Sequence, residues 1–364
     1  MKLISLKYKL TTGSTSNDWI LEELNLNSIN LVVGQNAVGK STVIRLINNF
    51  TKMINNQVFI YGHNQTKAEW ALGFIGNDEE VIKYELVVRN EMIVVKEYLS
   101  SNETVLLDRS ITKTELYSSP QQKLVKIKPP EDRLVLHIRR DIEEYPYFEN
   151  LIEWAQSIVL FEFSKVRPFY SDTSDSTRSS GPYPSLLWGQ LNKESKKIVI
   201  NDLNILGFKI SNIFLDDFDY QQDSKAIYLL EEGLENRLSE YQLSQGMFRA
   251  LALVVYVQHV IQFKNKSMIL VDDLGEGLDY DRATKLGKLL VQKLENSNIQ
   301  FIATSNDSFL MDVIPIKYWN ILQRDGNTVR ALNYQNSKEQ FDKFRLTGLS
   351  NFDLFSSDYL LQKL

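Results

Sequence analysis

Residues 3–10 alternate apolar and polar side chains, the two-residue period of a half-buried strand. Ile29-Asn30-Leu31-Val32-Val33 is a short apolar run ending in a glycine and predicts a buried strand. Helical spacing takes over from Val43 to about Ile54. Val81 to Val88 and Met92 to Leu99 flank the turn Arg89-Asn90-Glu91. Thr104 to Asp108 adds a third strand after Ser100-Ser101-Asn102, so a small antiparallel sheet is expected beside the first lobe.

Further on, Tyr147 to Val159 reads as a helix and Val159 to Phe163 as a strand. Residues 167–186 are rich in Ser, Thr, Asp, Pro and Gly, which predicts a long surface loop. Residues 188–240 carry helix–strand–helix signals. From 241 the pattern is helix, strand, helix, strand, then a hairpin at Asp325-Gly326. Lys338 to Leu361 places Phe and Leu at helical spacing; Phe341, Phe344, Phe352 and Phe355 are expected to close the core rather than dock a partner. No internal repeat and no long heptad run is present.

Composition narrows the classes. The 364 residues are 43 % hydrophobic, ordinary for a folded globular protein. Forty-six acidic residues outweigh 41 basic ones, which argues against non-specific coating of nucleic acid. With no cysteine there is no disulfide, thiolate metal site or cysteine nucleophile. The longest apolar run, Ala250 to Val257, is broken by Gln258 and His259, short of the roughly 18 residues that cross a bilayer. The N-terminus has no signal-peptide core, and a soluble cytoplasmic protein is expected.

The first chemistry lies in Gly34-Gln35-Asn36-Ala37-Val38-Gly39-Lys40-Ser41, which fits G-x-x-x-x-G-K-[ST]. Glycines let the backbone curl so that successive N–H groups point at phosphate oxygens. The helix opening there, from Thr42, adds its positive end. Lys40 is a mobile charge for the outer phosphates, and Ser41 offers a hydroxyl to Mg²⁺. A strand before and a helix after complete the context.

A second set lies far along the chain. Met268-Ile269-Leu270-Val271 is an apolar strand ending in Asp272 and Asp273. The first acid suits Mg²⁺ and the second suits the attacking water, although acids in a turn are also common. Leu243-Ser244-Gln245-Gly246-Met247 opens an almost wholly apolar helix. Ser244 as a helix cap accounts for the serine but not for a glycine in the first helical turn.

These strings resemble the ABC-class head ATPases of the SMC and RecF group, AAA-family ATP-binding proteins. Leu243 to Gly246 is similar to their signature loop, in its S-Q-G form. The order phosphate loop, signature, acidic strand, then Gly277-Leu278-Asp279 as the loop after it, is also theirs. The resemblance covers roughly residues 1–55 and 235–325. It implies an α/β P-loop NTPase fold with an SMC-type head: a mixed sheet with flanking helices, a β insertion and a helical signature subdomain. It implies ATP and Mg²⁺ as cofactors and a homodimer with ATP between the copies. Ser244, Gln245 and Gly246 would reach the nucleotide of the other copy, Asp279 would cross the interface, and Asp272 with Ser41 would hold the metal. Four regions are expected: 1–110, a lobe with the phosphate loop and β insertion; 111–235, an insertion; 236–330, a lobe with signature and acidic strand; and 331–364, a helical tail.

The chain departs from that pattern twice. Asp273 stands where many relatives have glutamate. The switch position, usually histidine, falls on Ser305 or Asn306, while His63, His137 and His259 lie elsewhere. Slow hydrolysis is the expectation, with ATP acting as a dimer clamp. The favoured setting is a compact ATPase of bacterial anti-phage defence or toxin systems. About 90 residues follow Asp272, too few for an appended nuclease domain, so a separately encoded nuclease or toxin is the expected effector. A RecF-like DNA clamp is the alternative, and a transporter subunit fits poorly. Arg133, Arg139 and Arg140 beside Lys123, Lys126 and Lys128 are balanced by nearby acids and read as a solvated face. Nucleic acid is thus possible but not indicated by charge, and no membrane is expected.

Overall fold

A computed structural model describes residues 1–13, 18–57, 66–90, 93–163, 183–217, 225–264 and 266–357. The chain divides into two compact units, Met1–Ile158 with Lys317–Asp342 and Val159–Ile316 with Lys343–Leu364.

The first unit is built on one mixed sheet. Its strand Ile29–Gly34 is buried at every residue, as its unbroken apolar character requires. Trp319–Asp325 runs parallel to it, with Leu322 opposite Gly34. Thr328–Asn333 follows antiparallel around Gly326, the expected hairpin. The register is fixed by buried amides. Asn320 donates to Asn30 Oδ1 at 3.3 Å, and Asn333 donates to Asn320 Oδ1 at 2.9 Å. Buried amides must find partners, so a slipped strand would strand three of them.

The same sheet continues with Trp19–Asn25, parallel to Thr328–Asn333, and then antiparallel through Lys2–Thr11, Lys67–Ile75, Val81–Arg89, Ile93–Ser101, Thr104–Arg109, Thr114–Ser118 and Lys123–Lys126. The small separate sheet expected from the sequence is therefore an extension of the phosphate-loop sheet. The helix Lys40–Ile54 packs its apolar stripe through Val43, Ile44, Ile47 and Phe50, and Phe50 meets Tyr84 edge-on at 5.6 Å. His137 Nε2 lies 3.0 and 3.1 Å from the carbonyls of Met53 and Ile54 and closes that helix's C-terminal end.

In the second unit Ser267–Asp272 pairs in parallel with Ile299–Thr304. Ser267 faces Ile299 and Val271 faces Ala303, so Asp272 and Thr304 end their strands side by side. A three-stranded antiparallel sheet, Ile210–Asp217, Lys225–Glu231 and Leu238–Ser239, replaces the single strand expected between helices there. The helix Gln245–Phe263 is buried almost all round, and Lys293 ties its Gln258 to Asp202 of the helix Lys193–Ile205. Most of the loop expected at 167–186 lies outside the described residues, while Pro184 starts a helix through Gln190. The tail helix expected over Lys338–Leu361 is two helices, Lys338–Arg345 and Asn351–Ser356. Gly348 at φ 74° ends the first stretch and a Ser350–Asp353 capping box starts the second. Phe341 and Phe344 are buried, whereas Phe352 and Phe355 are half-buried against each other.

Candidate functional site

The phosphate loop follows from its strand. Gly34 ends that strand where a Cβ would meet Val38 Cγ1 at 2.8 Å and the Leu322 carbonyl at 2.9 Å. Gln35, Asn36 and Ala37 form the exposed crest, and Ala37 sits in the left-handed region at φ 64°. Gly39 turns the chain into the helix at φ 113°, where a Cβ would lie 2.9 Å from Trp19 Cζ2. Only glycine combines that backbone with that contact. The helix then begins with no side-chain cap and no acidic residue in its first turn. Its leading N–H groups are therefore donors for an anion, as are the curled amides before them. Ser41 and Thr42 occupy that first turn, half-buried. Lys40 is only 6 % exposed and donates to the carbonyls of Gly34 at 2.7 Å and Gln35 at 3.1 Å. A cation held over a glycine cradle at a helix start suits a polyphosphate. Trp19, which no sequence pattern marked, walls one side of this loop.

The second unit carries the acids. Thr304 is fully buried and joins them: its hydroxyl donates to Asp272 Oδ1 at 2.7 Å and accepts from the Asp273 N–H at 2.8 Å. Asp273 has φ 60°, a conformation aspartate tolerates better than most residues. Thr304 was missed by sequence reasoning; the signal was a hydroxyl closing a strand otherwise buried and mostly apolar. Ser305 is fully buried, donating to the Leu274 carbonyl at 2.9 Å and accepting from the Asp307 N–H at 3.0 Å. Its hydroxyl braces the acidic turn. Of the two residues expected at the switch position, Asn306 is the exposed one.

Ser244 caps the helix Gln245–Phe263 by accepting from the Met247 N–H at 3.2 Å. Gly246 has its own packing reason: a Cβ there would land on the carbonyl oxygen of Gly277 and lie 3.1 Å from Leu278. Arg249, nearly buried, donates to the Glu276 carbonyl at 2.8 Å and to Gln245 Oε1 at 3.3 Å. The signature loop and the 276–278 turn are thus locked together. Asp279 caps the helix Tyr280–Glu295, accepting from the Arg282 N–H at 3.0 Å and pairing with its guanidinium at 2.9 Å. The backbone N–H of Arg282, then its charge, holds that carboxyl below the usual range. His259 Nε2 lies 2.7 Å from Gln190 Oε1. His63 lies outside the described residues.

The fold and these motifs define a P-loop NTPase of the SMC-head kind. Over residues 29–312 the chain matches the family described as "AAA domain, putative AbiEii toxin, Type IV TA system", and it belongs to that family. No curated protein matches the chain. Among solved structures it is similar to the SMC head bound to the C-winged helix domain of ScpA, with a TM-score of 0.56 at 12 % identity, covering 91 % of this chain and 98 % of that one. It is also similar to an SMC head domain with an extended coiled coil bound to the C-terminal domain of ScpA, derived from Pyrococcus furiosus. There the TM-score is 0.52 at 13 % identity, covering 94 % and 99 % of the two chains. At such identities the likeness establishes the fold. The chain is a member of the AAA family with the fold of an SMC head, and that family binds nucleotide, typically with Mg²⁺. Among the described residues no three His, Cys, Asp or Glu side chains converge on a metal, nor does Mg²⁺ held mainly by phosphates need them. Among the described residues one helix, Gln245–Phe263, is long and apolar enough to cross a membrane, but most of it is buried as core.

Proposed function

We propose that this chain binds Mg–ATP, closes on a second copy around the nucleotide, hydrolyses it slowly, and thereby regulates a separately encoded nuclease or toxin in cytoplasmic defence against phage. The phosphate loop carries the reading: an uncapped helix start, a glycine cradle and Lys40 are assembled as a triphosphate requires. In this reading the loop Gly34–Ser41 and Thr42 hold the phosphates. Asp272 and Ser41 hold the metal, and Asp273 orients the attacking water. Ser244, with Gln245 and Gly246, meets the γ-phosphate held by the other copy, and Asp279 lies at the seam. Asn306 serves as the switch, with Ser305 behind it. Bound Mg–ATP supplies the scissile phosphoanhydride and the charge that bridges the copies. Asp273, one methylene shorter than glutamate, reaches less far toward water, which supports slow turnover. The family's toxin-system description supports the setting.

Light scattering of the purified chain tests this. Mg–ATP with Asp273→Asn should give a dimer, ADP a monomer, and Ser244→Arg a monomer that still binds ATP. Turnover of the parent should stay well below the ~10 s⁻¹ typical of enzymes. A chain that stays monomeric with ATP in every variant, or turns over fast alone, overturns the reading.

A further inference from the structure

The antiparallel end of the first unit carries a groove of about 550 Å³. Three pieces of chain form it. They are Arg89 and Asn90 with Ile93 to Val95, the turn between Thr104–Arg109 and Thr114–Ser118, and residues 126–131 from the end of the last strand. That last piece is pinned at both ends: Ile127 N–H donates to the Thr114 carbonyl at 3.1 Å, and Val94 N–H to the Glu131 carbonyl at 2.8 Å. Arg109 holds it from within. Its buried guanidinium donates to the carbonyls of Pro130 at 2.7 Å and Arg133 at 2.6 Å and pairs with buried Glu97 at 3.4 Å. A buried ion pair spent on shaping a surface segment marks the groove as built.

Its charge runs against the chain's acidic balance. Arg89, Lys126 and Lys128 line it, and their side chains pair with no described residue. Lys113 is engaged by Glu115 at 2.6 Å. Glu131 is the one carboxylate among the described lining residues. Lysines on an edge strand ordinarily guard against strand pairing, which accounts for Lys126 but not for Arg89 or Lys128. Beside the polar Asn90, Ser110, Thr112 and Thr114, the lining carries the aliphatic side chains of Ile93, Ile111 and Ile127, with Ile111 75 % exposed. No aromatic ring is among the lining residues, whereas single-stranded nucleic acid is held by stacked aromatics. Cations interleaved with exposed aliphatics in a concavity complement a polypeptide bearing acids between aliphatic residues.

We propose that this groove docks an extended acidic and aliphatic segment of a partner protein. Its carboxylates would pair with Arg89, Lys126 and Lys128, and its aliphatic side chains would cover Ile93, Ile111 and Ile127. The proposal deepens the partner half of the function above and rests on it. The test is a displayed library of random short peptides selected on the full chain. Labelled winners, polyglutamate and a single-stranded oligodeoxynucleotide are then compared by anisotropy. Winners should alternate acids with Leu, Ile or Val, and lose about tenfold or more in affinity in Lys126→Glu/Lys128→Glu, with a smaller loss in Ile111→Ser. ATP binding and ATP-dependent dimerisation, read on the same samples, should not change. Winners indifferent to these substitutions, polyglutamate binding as tightly, or tighter binding of the oligodeoxynucleotide would each overturn the proposal. Loss of ATP-dependent dimerisation in the parent sinks the nucleotide reading instead, and the two failures are therefore told apart.

Discussion

Glu240 offers a prediction whose size the structure supplies. It lies in the short turn Glu240–Gln242 just before the signature loop, is 4 % exposed, and accepts from the Ile227 N–H at 3.1 Å. Burial raises its carboxyl from 4.5 to about 7, against the lowering effect of that hydrogen bond. A raised carboxyl means the folded chain holds the proton more tightly than the unfolded chain. Its contribution to stability is therefore fully present below about pH 4.5, declines as pH rises, and is lost above about pH 7. The gap, at about 1.4 kcal/mol per tenfold change in proton affinity, is about 3 kcal/mol as an upper figure. Glu240→Gln keeps shape and acceptor but carries no charge at any pH. It should match the parent in denaturant unfolding near pH 4.5 and exceed it by up to about 3 kcal/mol near pH 8. The difference should grow mainly between those values. An equal effect at both ends, or a variant less stable at the higher pH, would refute the assignment of a buried, protonated carboxyl.

Lys40→Ala should weaken Mg–ATP binding by about a hundredfold, the loss of two charge-assisted hydrogen bonds, measured by calorimetry. Gly246→Ala drives a methyl into the Gly277 carbonyl and should cost about 1–3 kcal/mol in unfolding while ending ATP-dependent dimerisation. Its ATP affinity as a monomer should be that of the parent, a split that light scattering and calorimetry together read. Thr304→Val breaks the link between Asp272 and Asp273; hydrolysis should fall about tenfold and unfolding lose about 1–2 kcal/mol. Thr304→Ser should restore most of both, and equal behaviour of the two variants would remove Thr304 from the site.

The phosphate loop was legible in the sequence because its chemistry is local. Gly34, Gly39, Lys40 and Ser41 act through backbone curl and a helix start, both properties of a few consecutive residues. The same holds for the apolar strand into Asp272 and Asp273, and for Ser244 before its helix. What the sequence left open depended on partners distant along the chain. Thr304 matters through a carboxylate 32 positions away. Ser305 and Asn306 are neighbours of similar chemistry, and only burial separates the brace from the exposed side chain. Gly246 looked like a ligand-facing glycine, yet it is also required by the approach of the Gly277 carbonyl, 31 residues on, which no periodicity encodes. The groove around Ile111 is the extreme case, assembled from separate pieces of chain, among them a pinned segment whose basic residues read along the chain as ordinary solvated surface. Motifs read from sequence record what adjacent residues do to one backbone; which surfaces converge is set by pairing and burial over the whole unit.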